Sequence, residues 1–185
     1  GLGDMMDILN GDTTKKVYYK IFTDIRIPKA ITALCCGMSL SVCGLMMQTL
    51  FRNPLAGPYI LGINSGACLF VALIITGATA FGLDQSNPIF SGSLPVAAVS
   101  GSIITLLIIL GFSAKMKNNI TLLLTGIMLG YIYGAAQNLL EYFANPTELK
   151  SFSLWGMGSV QNTEWKDLKI FIPVSTIGLI LSFTM

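Results

Sequence analysis

The chain has 185 residues, of which 53% are hydrophobic and 11% are charged, and its mean hydropathy is +0.71. A soluble domain carries about 25% charged residues, and disorder requires low hydrophobicity with high charge, so this composition argues against both classes. The lack of histidine excludes histidine-ligated haem or zinc and Ser–His catalysis, and a net charge of +2 is too small to suggest nucleic-acid binding.

The two ends of the chain suggest a longer protein. The first residue is not methionine, and residues 1–29 are polar and lack the apolar core of a signal peptide. The last stretch is apolar up to Met185, without a polar flank. We therefore expect both ends to be cuts in a longer sequence.

Charged residues divide the remainder into long uncharged stretches. Those between Arg52 and Asp84 and between Asp84 and Lys115 contain 31 and 30 residues. A membrane-spanning helix needs about 20 apolar residues, and this continuous apolar signal favours helices over a barrel. We predict one all-α, polytopic transmembrane helical bundle with five spans, at about 30–51, 59–82, 94–113, 121–143 and 168–185.

Turn residues separate the predicted spans. Asn53-Pro54 and Gly57-Pro58 break the chain after the first span. A polar turn at 84–88 follows the second span, and a basic link at 115–119 follows the third.

The longest connection, 144–167, is expected to contain a short helix. Asn145 or Thr147 would cap its start, and the helix would run to about Trp155 before ending at Gly156 and Gly158.

Loop charges predict the orientation. The loops at 52–58 and 114–120 carry Arg52, Lys115 and Lys117 and no acid, which places them in the cytoplasm. The first span then runs from outside to inside, and residues 1–29 form an extracytoplasmic flank. That flank is basic, which a missing upstream span, an external acidic partner, or both would explain.

The four cysteines lie in apolar stretches and form no C-x-x-C pair. We interpret them as small packing residues that indicate no redox compartment.

A row of small residues runs along the fourth predicted span. Gly126, Gly130 and Gly134 are spaced four apart, which places them on one helix face. This spacing is typical of close helix packing, and a lining for a passage is the alternative.

Three polar residues follow on the same span. Gln137, Asn138 and Glu141 lie close to its outer end, where a charge is less costly than at mid-membrane. They are either an interfacial group with an acid at the helix end or the polar wall of a path that opens outward.

Asn64-Ser65-Gly66 forms a small polar step in the second predicted span. An intramembrane serine hydrolase would need a histidine, so we interpret the step as a packing or hydrogen-bonding device. The sequence also lacks a phosphate-binding loop, so we expect no ATP hydrolysis by this chain.

Several segments resemble the FecCD/BtuC-type permeases of bacterial ABC importers. Arg26-Ile27-Pro28-Lys29 and the block from Met47 through Asn53-Pro54-Leu55-Ala56 to Ala67 carry the resemblance, with further matches at 122–126 and 154–159. The resemblance implies a ten-span subunit of which this chain covers spans two to six. The first span, the last four spans and the main coupling segment would be missing.

The resemblance also implies roles for individual residues. Arg26 and Lys29 would dock an extracytoplasmic substrate-binding protein, although lysine lacks the bidentate fork of arginine. The fourth span here and the short helix after it, at about 147–156, would line the translocation path, with Gln137, Asn138 and Glu141 on that span. The cytoplasmic gate would comprise Asn118, Asn119, Ile120 and Thr121. The packing and signature residues are Gly126, Gly130, Gly134, Asn53, Pro54, Pro58, Gly62, Ser65 and Gly66.

The implied function is that of a permease subunit in the bacterial cytoplasmic membrane. Its expected partners are a second permease copy, two ATP-binding subunits, the binding protein, lipid and an iron–siderophore, haem or cobalamin chelate. The subunit would not itself be an enzyme and would hold no cofactor or metal. A secondary transporter or channel, an intramembrane enzyme and a non-functional piece are the alternatives.

Overall fold

The computed structural model describes residues 16–80, 88–116, 118–161 and 163–184. All regular secondary structure in these ranges is helical, which confirms the predicted all-α class. The expectations for residues 1–15, the polar turn at 84–87, Lys117 and Met185 lie outside the described residues. The chain divides into two compact units, residues 1–42 with 159–185 and residues 43–158.

The first unit is built from long helices. α1 (Lys16–Ile21) continues through a π-helical turn (Phe22–Arg26) into α2 (Ile27–Phe51), whose last part belongs to the second unit. α7 (Trp165–Thr184) completes the first unit.

The π-helical turn leaves the Thr23 carbonyl without a backbone donor. The Ile27 N–H donates to the Phe22 carbonyl five residues earlier, so the next bond in this pattern would join residue 28 to the Thr23 carbonyl. Pro28 has no N–H and cannot make that bond. The indole N–H of Trp165 donates to the Thr23 oxygen instead, at 3.1 Å.

The second unit packs around one central helix. Its helices are α3 (Ile63–Ala80), α4 (Pro88–Ser113), α5 (Asn119–Phe143) and α6 (Pro146–Gly156). α3 contacts each of the other three. The buried apolar core comprises Val71, Ala72, Ile75, Ala78, Phe90, Ala97 and Phe152.

Four helical segments are long and apolar enough to cross a membrane, in agreement with four of the five predicted spans. They are Tyr18–Phe51, Gly92–Ser113, Asn119–Phe143 and Trp165–Thr184. The remaining predicted span corresponds to α3, which has 18 residues, about 27 Å of helix against a hydrocarbon core of about 30 Å.

Three predicted boundaries need correction. The third span was expected from residue 94, but α4 starts at Pro88. The second span was expected from residue 59, but the helix starts at Ile63, because Gly62 has φ +70° and the preceding residues form turns. The first span was expected from residue 30, but helix extends back to Lys16. The charges in that segment interrupt the apolar pattern without interrupting the helix.

The short helix in the longest connection agrees with its predicted caps. Asn145 precedes α6, and its backbone N–H donates to the Glu148 carboxylate at 2.8 Å in a capping box. The helix ends at Gly156, and Gly158 has φ +68°.

Candidate functional site

The turn after α2 is a Schellman motif with an arginine at the left-handed position. Arg52 has φ +48°. The Asn53 N–H donates to the Gln48 carbonyl at 3.1 Å, and the Arg52 N–H donates to the Thr49 carbonyl at 3.3 Å. These bonds pair two of the free carbonyls at the end of α2.

Side chains fix the backbone that follows this turn. The Asn53 Oδ1 accepts from the Leu55 N–H at 2.9 Å, and the Gln48 Nε2 donates to the Pro54 carbonyl at 3.2 Å. The signature residues Asn53 and Pro54 therefore hold the shape of the turn, and Gln48 is a contributor that the sequence analysis did not single out.

The non-helical segment before α3 packs directly on the glycine row of α5. A Cβ placed on Gly126 would lie 2.8 Å from the Leu61 Cα, and one placed on Gly62 would lie 2.9 Å from the Gly130 nitrogen. A side chain at either position would clash at these distances, so the contact requires glycine at both 62 and 126. Gly130 itself has more room, because a Cβ there would lie 3.5 Å from the Gly62 Cα and 3.6 Å from the Ser65 Oγ.

This contact lies well inside α5. Gly126 is seven residues beyond Asn119, the first residue of the helix, which corresponds to about 10 Å along its axis. Non-helical backbone at membrane depth is tolerated only where protein covers it or water reaches it. Here α5 provides the cover, since Leu61 and Gly62 are both buried. We use the name re-entrant segment for residues 57–62, the non-helical backbone that leads into α3 and whose last residues lie against α5.

The predicted glycine row is not uniform. Gly126 and Gly130 meet the re-entrant segment, whereas a Cβ on Gly134 would meet nothing within 4 Å in the described part of the chain. A second close contact joins α3 to α4, where a Cβ on Gly66 would overlap the Thr105 Oγ1. Thr105 is fully buried, and its hydroxyl donates to the Gly101 carbonyl at 2.8 Å.

The three predicted path residues fall into two groups. The Gln137 Nε2 donates to the Glu141 Oε1 at 2.8 Å, and both side chains are half-buried. Asn138 is exposed. The structure therefore pairs two of the residues and leaves the third on another face of α5.

Asn138 belongs to an exposed stripe with alternating spacings of three and four residues. We call this face the α5 stripe; its members are Thr121, Leu124, Met128, Tyr131, Ala135, Asn138 and Tyr142. Tyr131 and Tyr142 are 76% and 80% exposed. These tyrosines were not among the predicted path residues, although the seven-residue repeat that contains them is visible in the sequence.

The four predicted gate residues surround the start of α5. The Asn118 Oδ1 accepts from the Ile120 N–H at 3.0 Å and caps the helix, and the Asn119 Nδ2 donates to the Leu50 carbonyl at 2.7 Å. Ile120 and Thr121 are exposed. Asn118 therefore caps α5, while Asn119 fixes the start of α5 to the end of α2 by pairing one more free carbonyl of α2.

The predicted docking residues lie in the first unit. Arg26 ends the π-helical turn and is exposed, and Lys29 follows it by three residues on the continuing helix and is partly exposed. Residues three apart share a helix face. The two cations are therefore presented together.

No group of three or more potential metal-ligating His, Cys, Asp or Glu side chains occurs within residues 16–80, 88–116, 118–161 and 163–184.

The four helical segments of membrane-spanning length define a polytopic, helical membrane protein. The sequence profile of the FecCD transport family matches residues 1–185, and the chain belongs to that family.

Relatives in the family are named for different cargoes. The chain is 38% identical to the Hemin transport system permease protein HmuU of Yersinia pestis, over 91% of this chain and 51% of that protein. It is 32% identical to the Vitamin B12 import system permease protein BtuC of Photorhabdus laumondii, with coverages of 86% and 48%. It is also 32% identical to the Molybdate import system permease protein MolB of Haemophilus influenzae, with coverages of 91% and 49%. The chain spans about half the length of these relatives.

A solved structure has the same fold. It is described as an inward-facing conformation of a metal-chelate type ABC transporter, and it matches with a TM-score of 0.78 and 29% identity over 91% of this chain and 52% of that one.

Proposed function

We propose that this chain is part of a permease subunit of an ABC importer that moves a metal chelate across the bacterial cytoplasmic membrane. The observation that carries the proposal is the α5 stripe, a polar and aromatic face on a membrane-spanning helix of a FecCD family member. Two copies of the subunit would flank the path, and separate subunits would hydrolyse ATP.

The side chains of the α5 stripe suit a large cargo that keeps its own ligands. Tyr131, Asn138 and Tyr142 offer hydroxyl and amide groups among apolar neighbours, and none of them is a strong metal ligand at neutral pH. Such a face would hold a chelate by shape and by scattered hydrogen bonds. Since relatives are named for haemin, vitamin B12 and molybdate, family membership alone selects no cargo.

We further propose that Gln137 and Glu141 support the outer end of the path. Their mutual hydrogen bond occupies the Gln137 amide, so these two residues would shape the α5 surface while Asn138 meets the cargo.

The remaining assignments follow the same hypothesis. Arg26 and Lys29 would meet acidic groups of a substrate-binding protein outside the membrane. Asn118, Asn119, Ile120 and Thr121 would lie at the cytoplasmic gate, where the bond from Asn119 to the Leu50 carbonyl would hold the gate to the end of α2.

A secondary transporter or channel is the alternative function. The re-entrant segment favours it to some degree, because interrupted helices are common in secondary transporters. The deciding experiment measures cargo uptake by the full-length protein in proteoliposomes, with and without its ATP-hydrolysing partner and ATP. Uptake that requires both the partner and ATP supports the ABC importer. Uptake driven by an ion gradient alone would support the secondary transporter instead.

A further inference from the structure

The loop at 52–58 presents an apolar side chain beside a cation. Leu55 is 86% exposed, and Arg52 is exposed three residues before it. In the predicted orientation this loop is cytoplasmic, and neither it nor the loop at 114–120 contains an acid. The loop therefore exposes both an apolar and a basic side chain.

The backbone that carries these side chains is held in place. Arg52 occupies the left-handed region, where glycine is the usual residue and where a side chain is strained. The Asn53 side chain accepts from the Leu55 N–H and the Gln48 side chain donates to the Pro54 carbonyl, so both bonds hold the peptide group that joins Pro54 to Leu55. A lipid contact requires no such fixed geometry, whereas a protein contact gains affinity from it because less conformational entropy is lost on binding.

The same loop leads directly into the re-entrant segment. Leu61 lies against Gly126 of α5, and Asn119 at the start of α5 bonds to Leu50 just before the loop. A partner that displaced the loop would therefore act on α5, the helix that carries the α5 stripe.

We propose that the 52–58 loop is a docking element for the ATP-hydrolysing subunit. That subunit would offer an apolar socket for Leu55 and an acidic side chain for Arg52. This inference rests on the proposed function, and it adds a contact to the coupling segment expected beyond this chain.

The test measures how fast a thiol at position 55 reacts with a membrane-impermeant maleimide. Leu55→Cys is made in the full-length permease with its native cysteines replaced, and the protein is placed in nanodiscs of zwitterionic lipid. Met157→Cys is the matched control, since Met157 is 82% exposed and lies three predicted spans further along the chain, on the opposite side of the membrane in the predicted orientation. ATP-hydrolysing subunits at about ten times Kd should slow labelling about tenfold at position 55 and leave position 157 unchanged.

Three results would overturn the proposal. Equal labelling at position 55 with and without bound partner excludes the contact. Protection that appears without the partner when anionic lipid is added assigns the loop to the membrane. Protection in the absence of both the partner and anionic lipid assigns the loop to a contact with the rest of the permease chain. If the unsubstituted permease binds no ATP-hydrolysing subunit, the proposed function fails together with this inference.

A second set of variants separates charge from backbone strain. Arg52→Glu should weaken the complex about tenfold by placing an acid opposite the partner's acid, and Arg52→Lys should restore most of the affinity. Arg52→Gly removes the left-handed strain and should still bind more weakly than the unsubstituted protein. Unchanged affinity in both Arg52→Glu and Arg52→Gly would contradict the role of Arg52.

Discussion

The indole of Trp165 and the backbone of Thr23, 142 residues apart in the chain, share a hydrogen bond of 3.1 Å. Pro28 has no N–H to donate to the Thr23 carbonyl, and the indole N–H of Trp165, at the start of α7, donates to it instead. This pairing leads to the first prediction.

Trp165→Phe should lower the stability of the full-length protein by about 1 kcal/mol, because the Thr23 carbonyl loses its partner. Pro28→Ala supplies a backbone N–H, so the effect of Trp165→Phe should shrink in that background. Thermal unfolding of the two single variants and the double variant measures the coupling, and Trp155→Phe serves as the control. Additive effects would show that the bond does not compensate for the proline.

Gly126→Ala should destabilise the protein by about 1–3 kcal/mol, since the added methyl would lie against the Leu61 backbone. Gly134→Ala, on the same helix and the same row, should be neutral or slightly stabilising because nothing described lies within 4 Å. Unfolding in detergent compares the two variants. Similar losses for both would mean that the whole row packs closely in the full-length protein.

Asn138→Leu should reduce uptake while leaving stability unchanged, because its side chain is exposed on the α5 stripe. Gln137→Leu should instead lower stability by about 1 kcal/mol, since the Glu141 oxygen loses a donor. Uptake in proteoliposomes and thermal unfolding are measured on both variants. Normal uptake by Asn138→Leu would contradict the assignment of Asn138 to the translocation path.

Asn119→Asp should destabilise the protein although an acid at a helix start is otherwise favourable. The amide that donates to the Leu50 carbonyl would be replaced by an oxygen that repels it. Asn119→Ala, which only removes the bond, should cost about 1 kcal/mol and less than the aspartate. A more stable Asn119→Asp protein would indicate that the helix dipole outweighs the bond.

Charge reversal at Arg26 and Lys29 should weaken docking of the substrate-binding protein and make the remaining affinity less sensitive to salt. Both cations lie on one helix face and their reversal changes no described buried contact, so folding should persist. Lys166→Glu, an exposed cation of α7, is the control. Binding measured at two ionic strengths tests the assignment, and unchanged affinity in the double variant would reject it.

Sequence patterns predicted the helices where the physical signal is local and strong. The apolar runs gave α4, α5 and α7 to within a few residues apart from the start of α4, and Asn145 with Glu148 marked the start of α6. The start of α3 was missed because Gly62 has a positive φ and Leu61 packs against Gly126, which is far away in sequence. The Gln137–Glu141 bond is consistent with their spacing of four, but the exposure of Asn138 depends on which neighbours α5 has.

The contact between the re-entrant segment and α5 also constrains how the protein is made. Residues 57–62 leave the ribosome well before residues 119–143, yet α5 provides their cover. Non-helical backbone that faces lipid is costly, so we expect this segment to stay short of its final depth while α5 is still being synthesised. We expect α3 to insert incompletely at first and to reach its final position only when α5 arrives. A ribosome stalled shortly after residue 118 should therefore hold residues 57–62 in a water-accessible state.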